Sequence, residues 1–369
     1  MKKLKKLFKE FNIDGYIVPK NNEYFNEYIH SSEDRLKFIS NFSGSAGFAV
    51  VLRDKNYLFV DGRYTVQARY QSGEKFKIIT IPKKFPKNTL KVKKKIIIGF
   101  DPKLHTFKQL NFLFNIKNVK LKPINQNLID LIWKGKAKHL TKAFFKLTKK
   151  EAGKTTFEKL RQVKRILVSN DTDYLFVTAP ENIAWILNIR GQDSSYSPIP
   201  NSRLLIDKNG KMDLFANIKK IKKIKKNIKK IITLHDEKNI NDLLKYIYTK
   251  KIWIDSSTCS IYFKNLLIKN NVVVEKIDPI YFLKSIKNKT EINNMKKIHI
   301  ADGVALTKFL FWLKKNFRKK KITEISAQKK LESFRKKNKA YKFPSFSTIS
   351  GAGPNSAIIH YKASVKSNR

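Results

Sequence analysis

The chain has 369 residues, 41% of them hydrophobic and 12% aromatic, which excludes a mainly disordered protein and allows two or three folded domains. A single cysteine, Cys259, excludes an internal disulfide and a cysteine zinc cluster, and we expect it to be packed rather than nucleophilic. The formal net charge is +50, yet no signal-peptide core and no membrane-length apolar run accompany it, so a cytoplasmic protein is expected.

The first 140 residues predict an alternation of helices and strands. Residues 1–11 carry apolar side chains at helical spacing, which indicates a helix with one buried face. Strands are predicted at 16–19, 57–60 and 95–100, and a glycine-rich turn is predicted at 44–47. This alternation is typical of α/β layers.

A second round of the same pattern starts near residue 140. A helix is predicted at 157–168, a strand at 173–177, and further strands at 251–255 and 272–274. The segment WILNIRG (185–191) aligns with FISNFSG (38–44) and places Asn188 on Asn41. Because it follows a similar helix and strand, the segment predicts two related α/β domains.

A third region begins near residue 285. Thr290 is predicted to cap a long helix, with Glu291 near its positive end. Thr323 and Glu324 are predicted to open another helix. The last recognisable stretch, FPSFSTISGAGPNSAIIHY (343–361), predicts two short strands around a Gly-Pro-Asn turn.

The positive charge consists of 68 lysines and only 11 arginines, spread over the whole length. Nucleic-acid-binding modules usually combine arginine forks with exposed aromatics, and no such module is evident. A lysine-biased surface is therefore favoured over a polyanion binder. The densest run, 218–230, predicts a surface helix with a buried isoleucine stripe, and a helix for a membrane surface or acidic partner is the alternative.

Three stretches resemble, in order, the aminopeptidase P family of Xaa-Pro aminopeptidases, within the creatinase/prolidase group. They begin with RLKFISNFSGSAGFAVVL and LFVDGRYTVQA, continue with VTAPENIAWILNIRGQDSSYSPIPNSRLLI, and end with KNKTEINNMKKIHIADGVALTKFLFWL and the 343–361 motif. The resemblance implies an α/β protein with two creatinase-type N-terminal domains at 1–140 and 141–285. Residues 286–369 would then begin a pita-bread α+β catalytic domain.

The same resemblance implies a metallo-aminopeptidase, a hydrolase that cleaves the bond before a proline at position two of a peptide. Two divalent ions, usually manganese, would activate a bridging water. The family's two Asp, one His and two Glu ligands all follow the motif that ends at His360, so none lies in this sequence. We therefore expect a chain truncated before its metal ligands, without bound metal and inactive alone. A homodimer is implied for the complete enzyme, with no specific nucleic acid and no membrane as partners.

Two residues take roles from the resemblance. His360 matches the family's histidine beside the metal centre, which hydrogen-bonds substrate and helps to move a proton. Arg63, in Asp-Gly-Arg-Tyr, matches an arginine that contacts the peptide from the first domain. The alternative for His360 is a strand histidine bonded to a backbone carbonyl. For Arg63 the alternative is a surface ion pair with Asp61 or Glu33.

Other local signals predict no further chemistry. The cluster His235-Asp236-Glu237 at a strand end is better explained as a solvated turn than as a metal site. A non-catalytic creatinase-type module that binds peptide or protein remains an alternative function, as does a polyanion binder. Prolidase and creatinase are closer alternatives that differ mainly in substrate, and the two N-terminal domains with the DGRY motif favour aminopeptidase P.

If the charge is only a surface bias, DNA binding should be weak and indifferent to base sequence. Affinity should fall steeply as salt rises, because counterion release would supply nearly all of the binding free energy. Fluorescence anisotropy with two unrelated duplexes across a salt series checks this. Nanomolar affinity for one duplex at physiological salt would contradict it.

Overall fold

The computed structural model describes residues 1–137, 142–222, 224 and 232–369. The chain forms two compact units. The N-terminal unit contains residues 1–148 and 154–286, and the C-terminal unit contains residues 149–153 and 287–369. The α/β character predicted from the alternating pattern is confirmed, since the N-terminal unit holds two six-stranded sheets flanked by helices.

The first lobe of the N-terminal unit is built on a sheet of order β4-β3-β2-β1-β5-β6. Its strands are β1 (Gly15–Pro19), β2 (Gly47–Leu52), β3 (Asn56–Asp61), β4 (Lys77–Ile81), β5 (Ile96–Phe100) and β6 (Val119–Pro123). Its helices are α1 (Lys2–Glu10), α2 (Arg35–Ser40), α3 (Thr65–Ser72), α4 (Pro86–Thr89), α5 (Phe107–Phe114) and α6 (Leu128–Ile132). Every residue of the central strand β1 is buried, which explains why its sequence is apolar without alternation.

The second lobe repeats this architecture with the order β12-β11-β10-β8-β13-β14. Its sheet strands are β8 (Tyr174–Val177), β10 (Arg203–Asp207), β11 (Met212–Ala216), β12 (Ile232–Asp236), β13 (Lys251–Ile254) and β14 (Val272–Glu275), and β7 (Phe145–Lys146) pairs separately with β9 (Ile189–Arg190). Its helices are α8 (Thr156–Ser169), α9 (Pro180–Leu187), α10 (Ile218–Ile221), α11 (Ile240–Lys245), α12 (Ile261–Leu267) and α13 (Pro279–Ser285).

The two lobes share strand order and strand direction throughout. In each sheet the central strand is antiparallel to one neighbour and parallel to the other, and the outermost pair on either side is parallel. Asn41 and Asn188, aligned in the sequence, each end a helix in the left-handed conformation, with φ of 64° and 54°. Asparagine tolerates this conformation better than most residues. The predicted relationship between two α/β domains is therefore confirmed in structural detail.

An aspartate precedes the central strand of each lobe and ties it to the neighbouring parallel strand. The Asp14 N–H donates to the Ile97 carbonyl (2.7 Å), and the Asp14 carboxylate accepts from the Ile97 N–H (2.9 Å). Asp173 makes the same two bonds with Lys251, each at 3.0 Å. These carboxylates pair backbone groups at the sheet margin that would otherwise lack a ladder partner.

The basic run 218–230 is helical at its start, where α10 covers Ile218–Ile221. Ile221 and Ile224 are buried, as the predicted stripe requires, whereas Ile218 is 39% exposed. Ile228 and Ile231 lie outside the described residues, so this part of the prediction stays untested. Among the described residues, no helix is long and apolar enough to cross a membrane.

Within the N-terminal unit, Arg203 joins the two lobes. Its guanidinium carbon lies 4.4 Å from the ring centroid of Tyr24 in the first lobe and 4.5 Å from that of Phe263 in the second. Its Nη2 donates to the Glu23 carbonyl at 3.1 Å, and only 6% of the side chain is exposed. The Tyr24 hydroxyl also donates across the contact, to the Glu237 carboxylate at 3.0 Å. A planar, weakly hydrated cation suits this site between two rings.

The C-terminal unit consists of helices α7 (Lys149–Ala152), α14 (Lys289–Asn316) and α15 (Glu324–Arg335), followed by a 3-10 helix at Gly353–Ala357. The cap of α14 is Asn288 rather than the predicted Thr290, because Asn288 and Glu291 form a reciprocal capping box at 2.9 and 3.0 Å. Thr323 caps α15 as predicted. Arg335 grips Asp302 through two hydrogen bonds, at 2.6 and 2.9 Å, and so fixes α15 on α14.

The prediction of two strands within 343–361 is wrong. The segment forms turns and the 3-10 helix at Gly353–Ala357. An isolated strand leaves its backbone donors and acceptors unpaired. The described part of the C-terminal unit holds no sheet to which these residues could pair.

Replacing Arg203 with Lys should lower the free energy of unfolding of the N-terminal unit by roughly 2 kcal/mol. Lysine keeps the charge but loses the planar contact with both rings, and a compact ammonium is costlier to bury. Denaturant unfolding followed by tryptophan fluorescence measures the change. Arg165→Lys, an exposed arginine on α8, is the matched control, and equal stability of the two variants would contradict the assigned role.

Candidate functional site

Arg63 lies in the turn between β3 and α3. The Asp61 carboxylate accepts from the Arg63 backbone N–H at 3.0 Å and from its Nε at 2.7 Å, so the Asp61 ion pair considered from sequence is present. The hydrogen bond that Arg63 donates to Asp61 raises the pKa of Arg63 still further, which keeps the guanidinium charged. Its side chain is 42% exposed. The geometry thus fixes the backbone and Nε of Arg63 while leaving part of the guanidinium fork at the surface.

The Arg63 turn is bound to the glycine-rich turn predicted at 44–47. Tyr64 is buried, and its hydroxyl lies 2.8 Å from the Ser45 hydroxyl. Its ring packs edge-on against Phe42 at 5.8 Å. A side chain at Gly44 would meet both the Phe42 and the Tyr64 rings within 3 Å, so Gly44 is required for close packing. The two motifs of the first lobe therefore form one packed structure that presents Arg63.

His360 lies in a turn just after the 3-10 helix, with φ of +56°, and is half-buried. Its ring centroid lies 6.2 Å from that of Phe346. The alternative of a strand histidine is wrong, because His360 is in no strand. Its neighbour Tyr361 is buried and anchors the turn to the C-terminal unit.

Glu324, the first residue of α15, holds the segment that carries His360. Its carboxylate accepts from the Tyr361 hydroxyl (2.8 Å), the Asn355 side-chain amide (3.0 Å), and the backbone N–H groups of Ala352 (2.7 Å) and Arg369 (3.2 Å). Burial by itself would raise the pKa of Glu324, but these donors outweigh it and lower the pKa to about 2. Glu324 is therefore an ionised carboxylate that binds four groups of the 352–369 segment. Sequence reasoning identified it only as a helix start, since its partners lie 28 to 45 residues away.

The structure assigns the remaining candidates to the fold. His235 Nε2 lies 2.8 Å from the Asp213 carboxylate, and its ring stacks on Phe215 at 5.0 Å, so it belongs to the sheet rather than to a solvated turn. Cys259 is buried, and burial raises the pKa of its thiol to about 12, so it is a packed residue, as expected.

Within residues 1–137, 142–222, 224 and 232–369, no group of three or more His, Cys, Asp or Glu side chains could hold a metal ion. Arg63 lies in the N-terminal unit and His360 in the C-terminal unit. The described residues thus include a partly exposed guanidinium and an imidazole, but no group of three or more side chains that could hold a metal ion.

Comparison with known families assigns each part of the chain. Residues 1–131 and residues 136–291 each match a Creatinase/Prolidase N-terminal domain, and residues 293–369 match metallopeptidase family M24. The chain belongs to the creatinase/prolidase-type metallopeptidases. This confirms the resemblance drawn from the three sequence stretches.

Individual relatives point in the same direction. The chain is 33% identical to Xaa-Pro aminopeptidase 1 of Dictyostelium discoideum, over 98% of this chain and 61% of that protein. It is 32% identical to Xaa-Pro aminopeptidase ApepP of Drosophila melanogaster, over 97% of this chain and 60% of that protein. The chain therefore spans about three fifths of the length of these relatives.

A solved structure is also similar over the whole chain. The X-prolyl aminopeptidase of Caenorhabditis elegans, described as a cytosolic enzyme with a di-nuclear active site, matches with a TM-score of 0.89 and 26% identity. The match covers 100% of this chain and 64% of that one. The predicted fold, two creatinase-type domains followed by the start of a metallopeptidase domain, is confirmed.

Replacing Glu324 with Gln should loosen the His360 turn near neutral pH. Because the folded-state pKa is depressed, the stabilisation by Glu324 is present above the unfolded value and is lost as pH falls towards 2. Hydrogen-exchange protection of the Ala352 amide should therefore decrease on acidification in the parent protein. In Glu324→Gln it should be low at neutral pH and change little between pH 5 and pH 2.

Glu332→Gln is the matched control for this experiment. Glu332 lies on the same helix but accepts from Tyr341 and Lys336 instead of from the 352–369 segment. Its replacement should leave Ala352 protection unchanged. Equal loss in both variants would mean that α15 as a whole, not the Glu324 carboxylate, orders the turn.

Proposed function

We propose that the protein to which this chain belongs is an Xaa-Pro aminopeptidase. The observation that carries the proposal is the match to Xaa-Pro aminopeptidases at 32–33% identity over 97–98% of the chain. The two creatinase-type domains and the start of the M24 domain occur in one chain and in the expected order. The reaction would be hydrolysis of the N-terminal peptide bond that precedes a proline, and the substrates would be peptides with proline at position two.

The proposed domain boundaries follow the sequence pattern, with domains at 1–140, 141–285 and 286–369. In this division the first two domains bind and position peptide, and the third carries the chemistry. We further propose a cytoplasmic location and a homodimer for the complete enzyme. The Caenorhabditis elegans protein, described as cytosolic, supports the location.

The described residues do not fit a dimetal centre. Three carboxylates of the C-terminal unit are already engaged: Glu324 accepts four hydrogen bonds, Asp302 binds Arg335, and Glu291 closes the cap of α14. We propose that two divalent ions, manganese by family resemblance, are held by residues beyond those described, in the two fifths of the relatives' length that this chain does not match. The 369-residue chain would then be inactive by itself.

His360 is proposed to hydrogen-bond the substrate and to move a proton. Its half-exposed position in a turn leaves the ring within reach of solvent, and the Tyr361–Glu324 hydrogen bond holds the adjacent backbone. An imidazole changes protonation near neutral pH, which suits proton transfer at an amide.

Arg63 is proposed to bind the peptide away from the scissile bond. Asp61 fixes its Nε, so the exposed edge of the guanidinium points from a rigid turn rather than from a mobile side chain. A planar fork can pair with a peptide carbonyl or carboxylate. Pre-organisation of this kind lowers the entropy lost on binding.

The 369-residue chain should not release the N-terminal residue from an Xaa-Pro peptide when manganese is added. In a protein extended to the length of its relatives, His360→Ala should lower kcat by about 10²–10⁴-fold, the scale of a positioned acid–base group. Arg63→Ala should raise KM with a smaller effect on kcat. Steady-state assays with a proline-containing tripeptide, with metal content measured in parallel, test all three outcomes.

His299→Ala and Arg69→Ala are the matched controls, since both side chains are exposed on helices of the same units. They should leave kcat and KM unchanged. Manganese-dependent cleavage by the 369-residue chain would contradict its proposed inactivity. An extended protein that binds two metal ions and Xaa-Pro peptides without cleaving them would favour the non-catalytic binding module.

A further inference from the structure

A cavity of about 180 Å³ opens in the first lobe, at the carboxyl ends of the parallel strands β1 and β5. From β1 the chain proceeds to β2 on one side of the sheet, and from β5 it proceeds to β6 on the other. The cavity therefore lies where the strand order reverses, which is the preferred ligand position in open α/β sheets. Neither the family match nor the proposed activity assigns a role to it.

The polar lining of the cavity includes a histidine whose hydrogen-bonding capacity is unused. His105 is 2% exposed, and neither ring nitrogen makes a well-formed hydrogen bond within the described part of the chain, although the Gln109 side chain, which also lines the cavity, lies close enough to act on the ring. A buried donor or acceptor without a partner costs free energy, so the ring nitrogens should have a partner in the cavity, either ordered water or a bound molecule. Burial lowers the pKa of His105 to about 4, so the ring is neutral at pH 7, and the hydrogen-bonding side chain of Gln109 opposes this shift only in part because its contact with the ring falls short of a well-formed hydrogen bond. A neutral imidazole offers one donor and one acceptor.

The charged side chains around the cavity either form an ion pair with another residue or lie at the cavity opening. The Lys20 ammonium is 2.6 Å from the Asp34 carboxylate, in a pair that is largely buried. Glu27 is exposed and lies at the surface end of the lining. The deeper polar groups, Asn26 and His105, are uncharged, so an ion would lose its hydration without a counter-charge.

The apolar walls and the volume of the cavity limit the size of the ligand and favour one with an aliphatic part. Ile17, Phe48 and Phe114 provide an apolar surface opposite the polar side chains. A water molecule occupies about 30 Å³ in the liquid, so the cavity holds about six waters or a ligand of similar size. A short branched aliphatic group with one polar end matches this space.

We propose that this cavity is a binding site for a small uncharged molecule that carries a short aliphatic body and a group, such as a primary amide, that donates to and accepts from His105. The site is independent of the proposed peptidase activity. It also lies beside the contact between the lobes, since Asn26 donates to Asn201 at 2.7 Å and the His105 carbonyl accepts from the Ile261 N–H at 2.8 Å. Occupancy would therefore stabilise the N-terminal unit.

The test compares three molecules of nearly equal shape: isobutyramide, isobutyrate and isobutylammonium. Calorimetry at pH 7 measures affinity, and nitrogen NMR of the His105 ring reports the contact directly. Isobutyramide should bind with a dissociation constant of about 1 mM, within the limit for so few atoms. Both ions should bind at least about tenfold more weakly, because neither can exchange a donor and an acceptor with a neutral ring.

His105→Phe keeps the ring volume and removes both nitrogens, so it should weaken isobutyramide binding about tenfold and leave the apolar walls intact. The protein should remain folded, since the substitution removes a buried group without partners. His299→Phe, on an exposed helical face, is the matched control and should bind as the parent does. If His105→Phe does not fold, the ring-nitrogen titration in the parent protein decides.

Three outcomes would overturn the proposal. The first is equal affinity for all three molecules, which would indicate non-specific apolar binding. The second is isobutyramide affinity that His105→Phe does not change. The third is no shift of the His105 ring nitrogens at saturating isobutyramide, which would mean that water alone fills the cavity.

Discussion

The contact between the two lobes of the N-terminal unit is centred on one buried cation, Arg203, which lies between the rings of Tyr24 and Phe263. Arginine can be buried here because its planar charge is weakly hydrated and both of its faces are covered by aromatic rings. The loop that supplies Glu23 and Tyr24 is also the loop that continues into the cavity wall at Asn26. The lobe contact and the cavity therefore share one loop.

The two lobes of this unit repeat the same structural features. Both sheets start from a fully or largely buried central strand, preceded by an aspartate that binds the adjacent backbone and followed by a helix that ends at a left-handed asparagine. The aspartates and asparagines provide hydrogen bonds or a suitable conformation for backbone groups at strand and helix ends, where hydrophobic burial alone does not determine the structure. They also explain why the two lobes keep one topology with few identical residues.

The sequence was most informative where the signal was local. The strand after Asp14, the helix at 156–169 and the cap at Thr323 follow from periodicity and capping chemistry, and all are present. The strands predicted within 343–361 failed because a strand needs a partner that sequence periodicity does not supply. His105 and Arg203 carried no local signal, since their environments are assembled from residues far apart in the chain. Arg63 is intermediate, because its ion pair is local but its proposed peptide contact is not.

The position of His360 is determined inside the C-terminal unit itself. Glu324 collects donors from Ala352, Asn355 and Tyr361, and α15 is in turn fixed on α14 by Arg335 and Asp302. None of these bonds requires a metal ion. The backbone that carries the imidazole is thus ordered by contacts within the C-terminal unit, whatever ligands the proposed metal ions use. The position of the His360 ring should accordingly respond to substitution of Glu324 and Tyr361, because their hydrogen bond holds the adjacent backbone.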